Sequence, residues 1–452
     1  MCKNAFVIFL LLFHFFSYPQ FLVNVENNKG NKAALFGLEG EKVSFIDSLN
    51  SNENSEFHFN LAGNYLGIYR LSFINNKYIN FIYDNEETEI EIDLENLLES
   101  VNVLKSESNK IYYDFIMLNK DYKTKTELLQ LMLARYPQED DYYQTTMQKL
   151  IQIQEDYLNF VNTTSQKNPE SFVARYVISA QLPFVPPEIP FDEQLAYLKA
   201  HALDNVNFYD DGLIYSDAFT IKTIEYLTYY RNPQLPLELL EKEFITAVDS
   251  ILNKAKVNNI IYQHIVEYLI DGFKTYGFDN VIDYIVENYV IKDDLCLDTK
   301  LRDSIERRIE QARNFKIGNT VPDIHTSDSA GTKFSLDDIQ SERVLLLFYA
   351  SWCTHCQNLI PKIYELYKSQ QEKNTEVVAV SIDTSRTDLL NFISANELDW
   401  FNIADLKGWN GEAAKDYFIY ATPTMFLIDK DRKLIAKPTS IDDLRHWFDP
   451  SN

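Results

Sequence analysis

Two cysteines separated by two residues, Cys353-Thr354-His355-Cys356, stand directly after the apolar run Val344–Ala350 and open a stretch with helical spacing. That placement suits a particular chemistry. Unpaired N–H groups and the helix dipole stabilise an anion at a helix N-terminus, so Cys353 there would hold its thiolate at a lowered pKa. The thiolate is the attacking species in disulfide exchange. Cys356, one turn later and less exposed, can attack the resulting mixed disulfide and release product. The alternative is half a zinc site, which needs two further ligands. Beyond the N-terminal run the remaining cysteine is Cys296, so no second pair is present and no metal is expected. Cys296, between Leu295 and Leu297, reads as a buried apolar residue. The expected cofactor is none beyond a redox-active Cys353–Cys356 disulfide.

The elements around the pair follow from periodicity. Val344–Ala350 is apolar throughout, as in a strand buried on both faces. A helix from Cys353 to Gln371 follows, then strand Val377–Ile382, helix Asp388–Asn396, strand Thr424–Ile428, strand Leu434–Ala436 and helix Ile441–Phe448, an order β-α-β-α-β-β-α. Upstream, 109–314 has helical spacing in Ile111–Leu118, Thr126–Tyr136, Tyr142–Val161, Pro169–Gln181, Phe191–Ala202, Thr220–Tyr230, Pro236–Ala255, Ile260–Tyr276, Asn280–Asn288 and Leu301–Phe315. Asn168-Pro169 reads as a helix start. The prolines from Pro183 to Pro190 exclude helix there. Residues 30–105 read as β: Phe57–Leu61 and Ile90–Leu94 alternate with period two, and Asn75-Asn76-Lys77 suits a hairpin turn. The chain is therefore multidomain, with an N-terminal antiparallel β domain over 30–105, an α-helical middle domain over 109–314 and a C-terminal α/β domain over 316–452.

The last of these carries a resemblance. Phe348-Tyr349-Ala350-Ser351-Trp352-Cys353-Thr354-His355-Cys356 with Pro361, then Val377–Asp383, then Ala421-Thr422-Pro423-Thr424 through Asp429, resemble the thioredoxin superfamily and most closely its exported TlpA/ResA-like branch. The two upstream regions match only the general pattern of multidomain Bacteroidetes proteins. The resemblance implies a thioredoxin-like fold, a cis peptide bond before Pro423 lying against the cysteines, Thr422 lining a substrate groove, and Trp352 packed beside the motif. A strand edge beside the sulfurs would let a substrate peptide pair. His355 stands where protein disulfide isomerase and DsbA also carry His; a nearby imidazole would stabilise the Cys353 thiolate and make the couple more oxidising than thioredoxin. Two positions depart from the family. Leu347 replaces the buried acid six residues before the first cysteine, and Leu359 replaces the Glu three residues after the second. Asp383 and Glu365 are the remaining candidates for proton transfer to the buried thiol.

The formal net charge is −25, from 42 Lys and Arg against 67 Asp and Glu. Residues 316–452 hold 14 basic and 20 acidic residues, −6, leaving −19 upstream. Such a field repels phosphate backbones and anionic lipid surfaces, so nucleic acid is not an expected partner. Residues 1–20 place one Lys (Lys3) before an apolar run, Ala5–Phe16, the pattern of a secretory signal peptide or an uncleaved N-terminal membrane anchor. Either one exports the chain to the periplasm or cell envelope. The function expected is thiol–disulfide exchange with protein thiols and disulfides, recharged by a membrane electron donor or by small thiols. The alternative is an envelope binding or scaffold protein with an accessory thioredoxin-like domain. A peroxidase lacks its usual Thr-x-x-Cys surroundings here.

Overall fold

The computed structural model describes residues 20–27, 32–73, 76–97, 99–327, 333–369 and 374–448. The expected signal or anchor lies outside these except for Gln20, as does Asn75 of the expected hairpin turn. The chain divides into two compact units, Met1–Tyr268 and Leu269–Asn452.

The first unit opens with strands β1 (Gln20–Glu26), β2 (Lys32–Glu39), β3 (Lys42–Asn50), β4 (Glu56–Asn60), β5 (Gly67–Ser72), β6 (Tyr78–Tyr83), β7 (Thr88–Asp93) and β8 (Asn102–Lys105). They form two four-stranded sheets, ordered β4-β1-β7-β8 and β3-β2-β5-β6. Pairing is antiparallel apart from β1 with β7, which is parallel. Inward-facing residues of both sheets, among them Phe21, Val23, Phe57, Tyr69, Leu71, Phe81 and Ile90, fuse into one core with no measurable exposure. This β region begins at Gln20, ahead of the expected residue 30, because alternation in Phe21, Val23 and Val25 continues the sandwich core upstream.

Helices follow: α1 (Glu107–Arg135), α2 (Asp141–Lys167), α3 (Phe172–Ala180), α4 (Phe191–His201), α5 (Ala218–Thr228), α6 (Leu237–Ala255) and α7 (Asn259–Tyr276), the last crossing the division between units. Two segments expected as separate helices are joined in α1, because the stretch between them carries the helix-favouring Lys120, Lys123 and Lys125 and neither Gly nor Pro. Asn109 joins α1 to the sheet: its side chain accepts from Ile82 N and donates to Ile82 O, both at 2.8 Å. Pro169 is not the start of α3. Ser171 caps it, accepting from Ala174 N, while Asp84 accepts from Phe172 N and Val173 N. The proline-rich stretch after α3 is non-helical, as its missing donors require.

The second unit holds the end of α7, then α8 (Asp279–Ile285), which continues as a π-turn over Val286–Ile291, then α9 (Thr299–Ser304) and α10 (Glu306–Asn314). Ile305, at φ −123°, breaks the single helix expected over 301–315 and turns its side chain into the core. After the hairpin β9 (His325–Ser327) and β10 (Lys333–Ser335) come β11 (Arg343–Tyr349), α11 (Thr354–Lys368), β12 (Thr375–Ser381), α12 (Arg386–Ala395), β13 (Phe401–Ala404), α13 (Glu412–Asp416), β14 (Thr424–Asp429), β15 (Leu434–Ala436) and α14 (Ile441–Phe448). The main sheet runs β13-β12-β11-β14-β15, parallel across its first three strands and antiparallel at β14 and β15. Leu345 through Ala350 are completely buried, because helices cover both faces of this central strand. Strand β13, with Phe401-Asn402-Ile403-Ala404, escaped the sequence pattern since four residues with one polar member show no clear period.

Candidate active site

The strand β11 ends at Tyr349 and the chain turns through Ala350, Ser351 and Trp352 into α11. Cys353 is the N-cap of that helix, and its sulfur accepts from Cys356 N at 3.4 Å. A cysteine at an N-cap uses its sulfur where Ser or Asp would use oxygen, satisfying one of the orphan helix donors. The apolar face of α11, carrying Cys356, Ile360, Ile363 and Tyr367, is buried against the sheet. That face fixes the depth of the two sulfurs: Cys353 keeps 9% of its surface exposed and Cys356 none.

Across from the helix, Thr422-Pro423 is a cis peptide bond leading into β14. The Cys353 thiol donates to Thr422 O at 3.2 Å. Cys353, Cys356, Thr422 and Pro423 are thus brought together.

The two thiols are driven apart electrostatically. Burial pushes Cys353 up, but hydrogen bonds from the Thr422 side chain and from the N–H groups of Cys356 and His355 outweigh it, so its pKa lies below the ordinary thiol value. Burial pushes Cys356 up to about 12, with the neighbouring Cys353 adding to the rise. Cys353 is therefore the more acidic of the two sulfurs and Cys356 the less.

Trp352 is 58% exposed and meets Trp409 edge-on, ring centroids 6.5 Å apart, so it packs beside the motif only along one edge. The His355 side chain is exposed, and its visible contribution to Cys353 is its backbone N–H. Asp383 is buried and accepts from Ser351 N at 3.0 Å, Ser351 Oγ at 2.7 Å and Ser381 Oγ at 2.7 Å. Three donors on this carboxylate hold the turn before Cys353. Glu365 is exposed, more than two turns of α11 beyond Cys356, and is not brought to the sulfurs. Cys296 is exposed rather than buried, because the extended segment turns Leu297 inward and the cysteine outward. Among the described residues no group of three or more His, Cys, Asp or Glu could hold a metal ion.

Residues 317–437 match the model of the AhpC/TSA family. The thiol-disulfide oxidoreductase ResA of Bacillus thuringiensis subsp. konkukian (strain 97-27) is 37% identical over 123 residues, which are 27% of this chain and 69% of that protein. ResA of Geobacillus thermodenitrificans (strain NG80-2) is 28% identical over 29% of this chain and 76% of its own. The solved thioredoxin domain of a thiol-disulfide oxidoreductase from Bacteroides vulgatus is 26% identical, covering 29% of this chain and 94% of that one with a TM-score of 0.28. The chain belongs to the ResA thiol–disulfide oxidoreductase family. Its C-terminal region is a thioredoxin-like oxidoreductase domain, and the similarity to ResA spans 27–29% of this chain.

Within this ResA-family domain, Leu347 is fully buried and Leu359 partly so, which leaves apolar side chains at both departures noted above. Four contributors were missed by sequence reasoning. Ser351 and Ser381 bind Asp383; both lie inside quoted motifs, but serine in a turn carries no pattern of its own. The Tyr349 hydroxyl is buried and has no hydrogen-bond partner among the described residues. Burial raises its pKa, and the charges of Asp383 and Cys356 raise it further. Arg307 donates to Ile419 O at 2.9 Å and to Trp409 O at 3.0 Å, a contact across more than a hundred residues that no local signal could show.

Proposed function

We propose that Cys353 and Cys356 carry out dithiol–disulfide exchange with cysteines of other proteins outside the cytoplasm. The observation that supports this reading best is the contrast between the two sulfurs: Cys353 at the helix N-cap with a lowered pKa, Cys356 buried behind it with a raised one.

The Cys353 thiolate attacks one sulfur of a substrate disulfide. The substrate S–S bond breaks, a Cys353–substrate bond forms, and the other substrate sulfur leaves with the electron pair and takes a proton from solvent. Cys356 then loses its proton and attacks Cys353 Sγ. The mixed disulfide breaks, the Cys353–Cys356 bond forms and the second substrate thiol departs. Two electrons pass from the pair to the substrate. In reverse, the same steps oxidise a substrate dithiol. Reducing equivalents come from a membrane electron donor or from small thiols.

Export follows from the Lys3-led apolar run at Ala5–Phe16, acting as signal peptide or anchor. Among the described residues no helix is long and apolar enough to cross a membrane. Insulin reduction and reactivation of scrambled ribonuclease test the exchange. Activity that survives Cys353→Ala removes the reading. Fractionation of expressing cells tests the compartment: recovery of the protein with cytoplasmic markers removes export.

A further inference from the structure

Arg307 and Gln311 stand four residues apart in α10 and so share one face of that helix. The helix ends at Asn314, ahead of the residues 317–437 that match the AhpC/TSA family. Both side chains nonetheless end on the backbone of the redox domain. Gln311 Nε2 donates to Tyr417 O at 3.0 Å and to Phe418 O at 3.3 Å. The Arg307 guanidinium donates to Ile419 O at 2.9 Å and to Trp409 O at 3.0 Å. Arg308 lies 4.2 Å above the Tyr420 ring, whose hydroxyl donates to Asp283 of α8 at 2.7 Å. Each residue from Tyr417 to Tyr420 is thus held by α8 or α10.

The segment needs such holding. Helix α13 ends at Asp416, and Phe418 adopts φ 49°, a left-handed conformation that disfavours a bulky side chain. That turn pairs Phe418 N with Lys415 O and Ile419 N with Ala414 O. Carbonyls past a helix end have no following turn to accept from. Tyr417 and Ile419 are completely buried, where a carbonyl without a partner is costly, and α10 supplies the donors.

Two routes lead from this grip to the attacking sulfur. Thr422 follows Tyr420 by two residues, and its carbonyl accepts from the Cys353 thiol at 3.2 Å. Burial raises the Cys353 pKa, and the Thr422 side chain is the largest of the contributions that lower it. The second route runs through Trp409, which meets Trp352, the neighbour of Cys353, with ring centroids 6.5 Å apart. Arg307 holds both routes at once. A planar guanidinium spans two carbonyls in one fixed geometry, which the single ammonium of Lys does not reproduce.

We propose that Arg307 and Gln311 are positioning residues for Cys353, holding the backbone at Tyr417–Ile419 and Trp409 so that Thr422 and Trp352 keep their places beside the sulfur. The role rests on Cys353 as the attacking thiolate. Arg307→Lys and Gln311→Leu test it, because neither changes the charge of the chain. Each is made in the full-length protein with Cys296→Ser, reduced, and alkylated with iodoacetamide across pH, with mass spectrometry locating the product. A loosened Thr422 stabilises the thiolate less. Each variant should therefore raise the Cys353 midpoint by about half a pH unit, roughly a threefold loss of rate below it, and the double variant by more. The reduction potential against glutathione should fall in the same order. Arg313→Ala, which removes a charge paired with Glu310 inside the same helix, should keep the wild-type midpoint. A merely structural role would lower stability in urea and leave the midpoints alone. Wild-type midpoints in both single variants overturn the positioning role, as does an equal shift in Arg313→Ala. Arg307→Lys, the mildest change, decides alone if the Leu variants do not fold. If a residue other than Cys353 is alkylated first in the Cys296→Ser protein, the exchange reading itself fails; alkylation at Cys353 with unmoved midpoints removes the positioning role alone.

Discussion

The Asp383 carboxylate and the Ser351 hydroxyl meet at 2.7 Å inside the protein, tying the chain just beyond β12 to the turn that delivers Cys353. Ser351 N and Ser381 Oγ point at the same carboxylate, and Gln357 Nε2 holds the Ser351 carbonyl at 2.7 Å. The acid that sequence reasoning offered for proton transfer thus also holds this turn. Asp383→Ala leaves three donors around an empty site. A buried donor without a partner costs about 1–3 kcal/mol, so the variant should lose at least about 2 kcal/mol in urea denaturation. Asp383→Asn keeps one acceptor and should lose less. Equal losses in the two variants would contradict the role of the carboxylate as acceptor.

The contrast between the thiols sets a pH dependence. In a Cys296→Ser background, which removes the exposed cysteine, iodoacetamide should modify Cys353 with a midpoint below the ordinary thiol value of about 8.5. Cys356 should resist until pH approaches about 12. The linkage has opposite signs for the two groups. The lowered Cys353 pKa contributes stability that is present above the unfolded thiol pKa and is lost as pH falls through its folded value. The raised Cys356 pKa contributes stability present below the unfolded value and lost as pH rises from there towards about 12. Reduced protein should therefore weaken on the alkaline side. Mass spectrometry of the alkylated products and denaturation across pH 6–11 check both signs; equal labelling of the two cysteines at pH 7 would refute the contrast.

The sequence made the cysteines and the strand beneath them legible because local rules govern them. A fully apolar run must be buried on both faces, and a cysteine pair one turn apart at a helix start has few other uses. The sandwich core was partly legible through alternation at Phe57–Leu61 and Ile90–Leu94. What stayed hidden depends on distant partners. Asp84 capping α3, Asn109 completing the edge of β6 and Arg307 gripping Ile419 all join residues far apart in the chain. Cys296 was misread for a related reason: flanking leucines show that a segment is near a core, but not which alternate residues face it.

His355 offers Cys353 a backbone N–H as well as an exposed ring. That N–H is the smallest of the contributions that lower Cys353. Proline at this position removes the donor altogether. His355→Pro should raise the Cys353 pKa, destabilise the reduced form and shift the reduction potential downwards by less than the roughly 30 mV that a full charge-assisted hydrogen bond of about 1.4 kcal/mol would give. His355→Ala keeps the N–H and should move the potential less. Equilibration against glutathione measures all three proteins, and the wild type is expected above the thioredoxin level of about −270 mV. A wild-type value at or below that level would show that the couple is not more oxidising.

Tyr349 presents a hydroxyl to the interior with no partner among the described residues, although its ring packs on Phe392 with centroids 5.8 Å apart. The ring contributes apolar burial and the hydroxyl costs desolvation, so the two parts of one side chain oppose each other. Tyr349→Phe keeps the ring and removes the cost. An unsatisfied buried polar group is penalised by about 1–3 kcal/mol, while exchanging it for an apolar group of the same shape is nearly neutral or stabilising. The variant should therefore gain up to about 1 kcal/mol in urea denaturation of the reduced protein. Tyr349→Leu, which shrinks the ring, should instead lose stability through the cavity it opens. A clear loss in Tyr349→Phe would mean that the hydroxyl is hydrogen-bonded in solution.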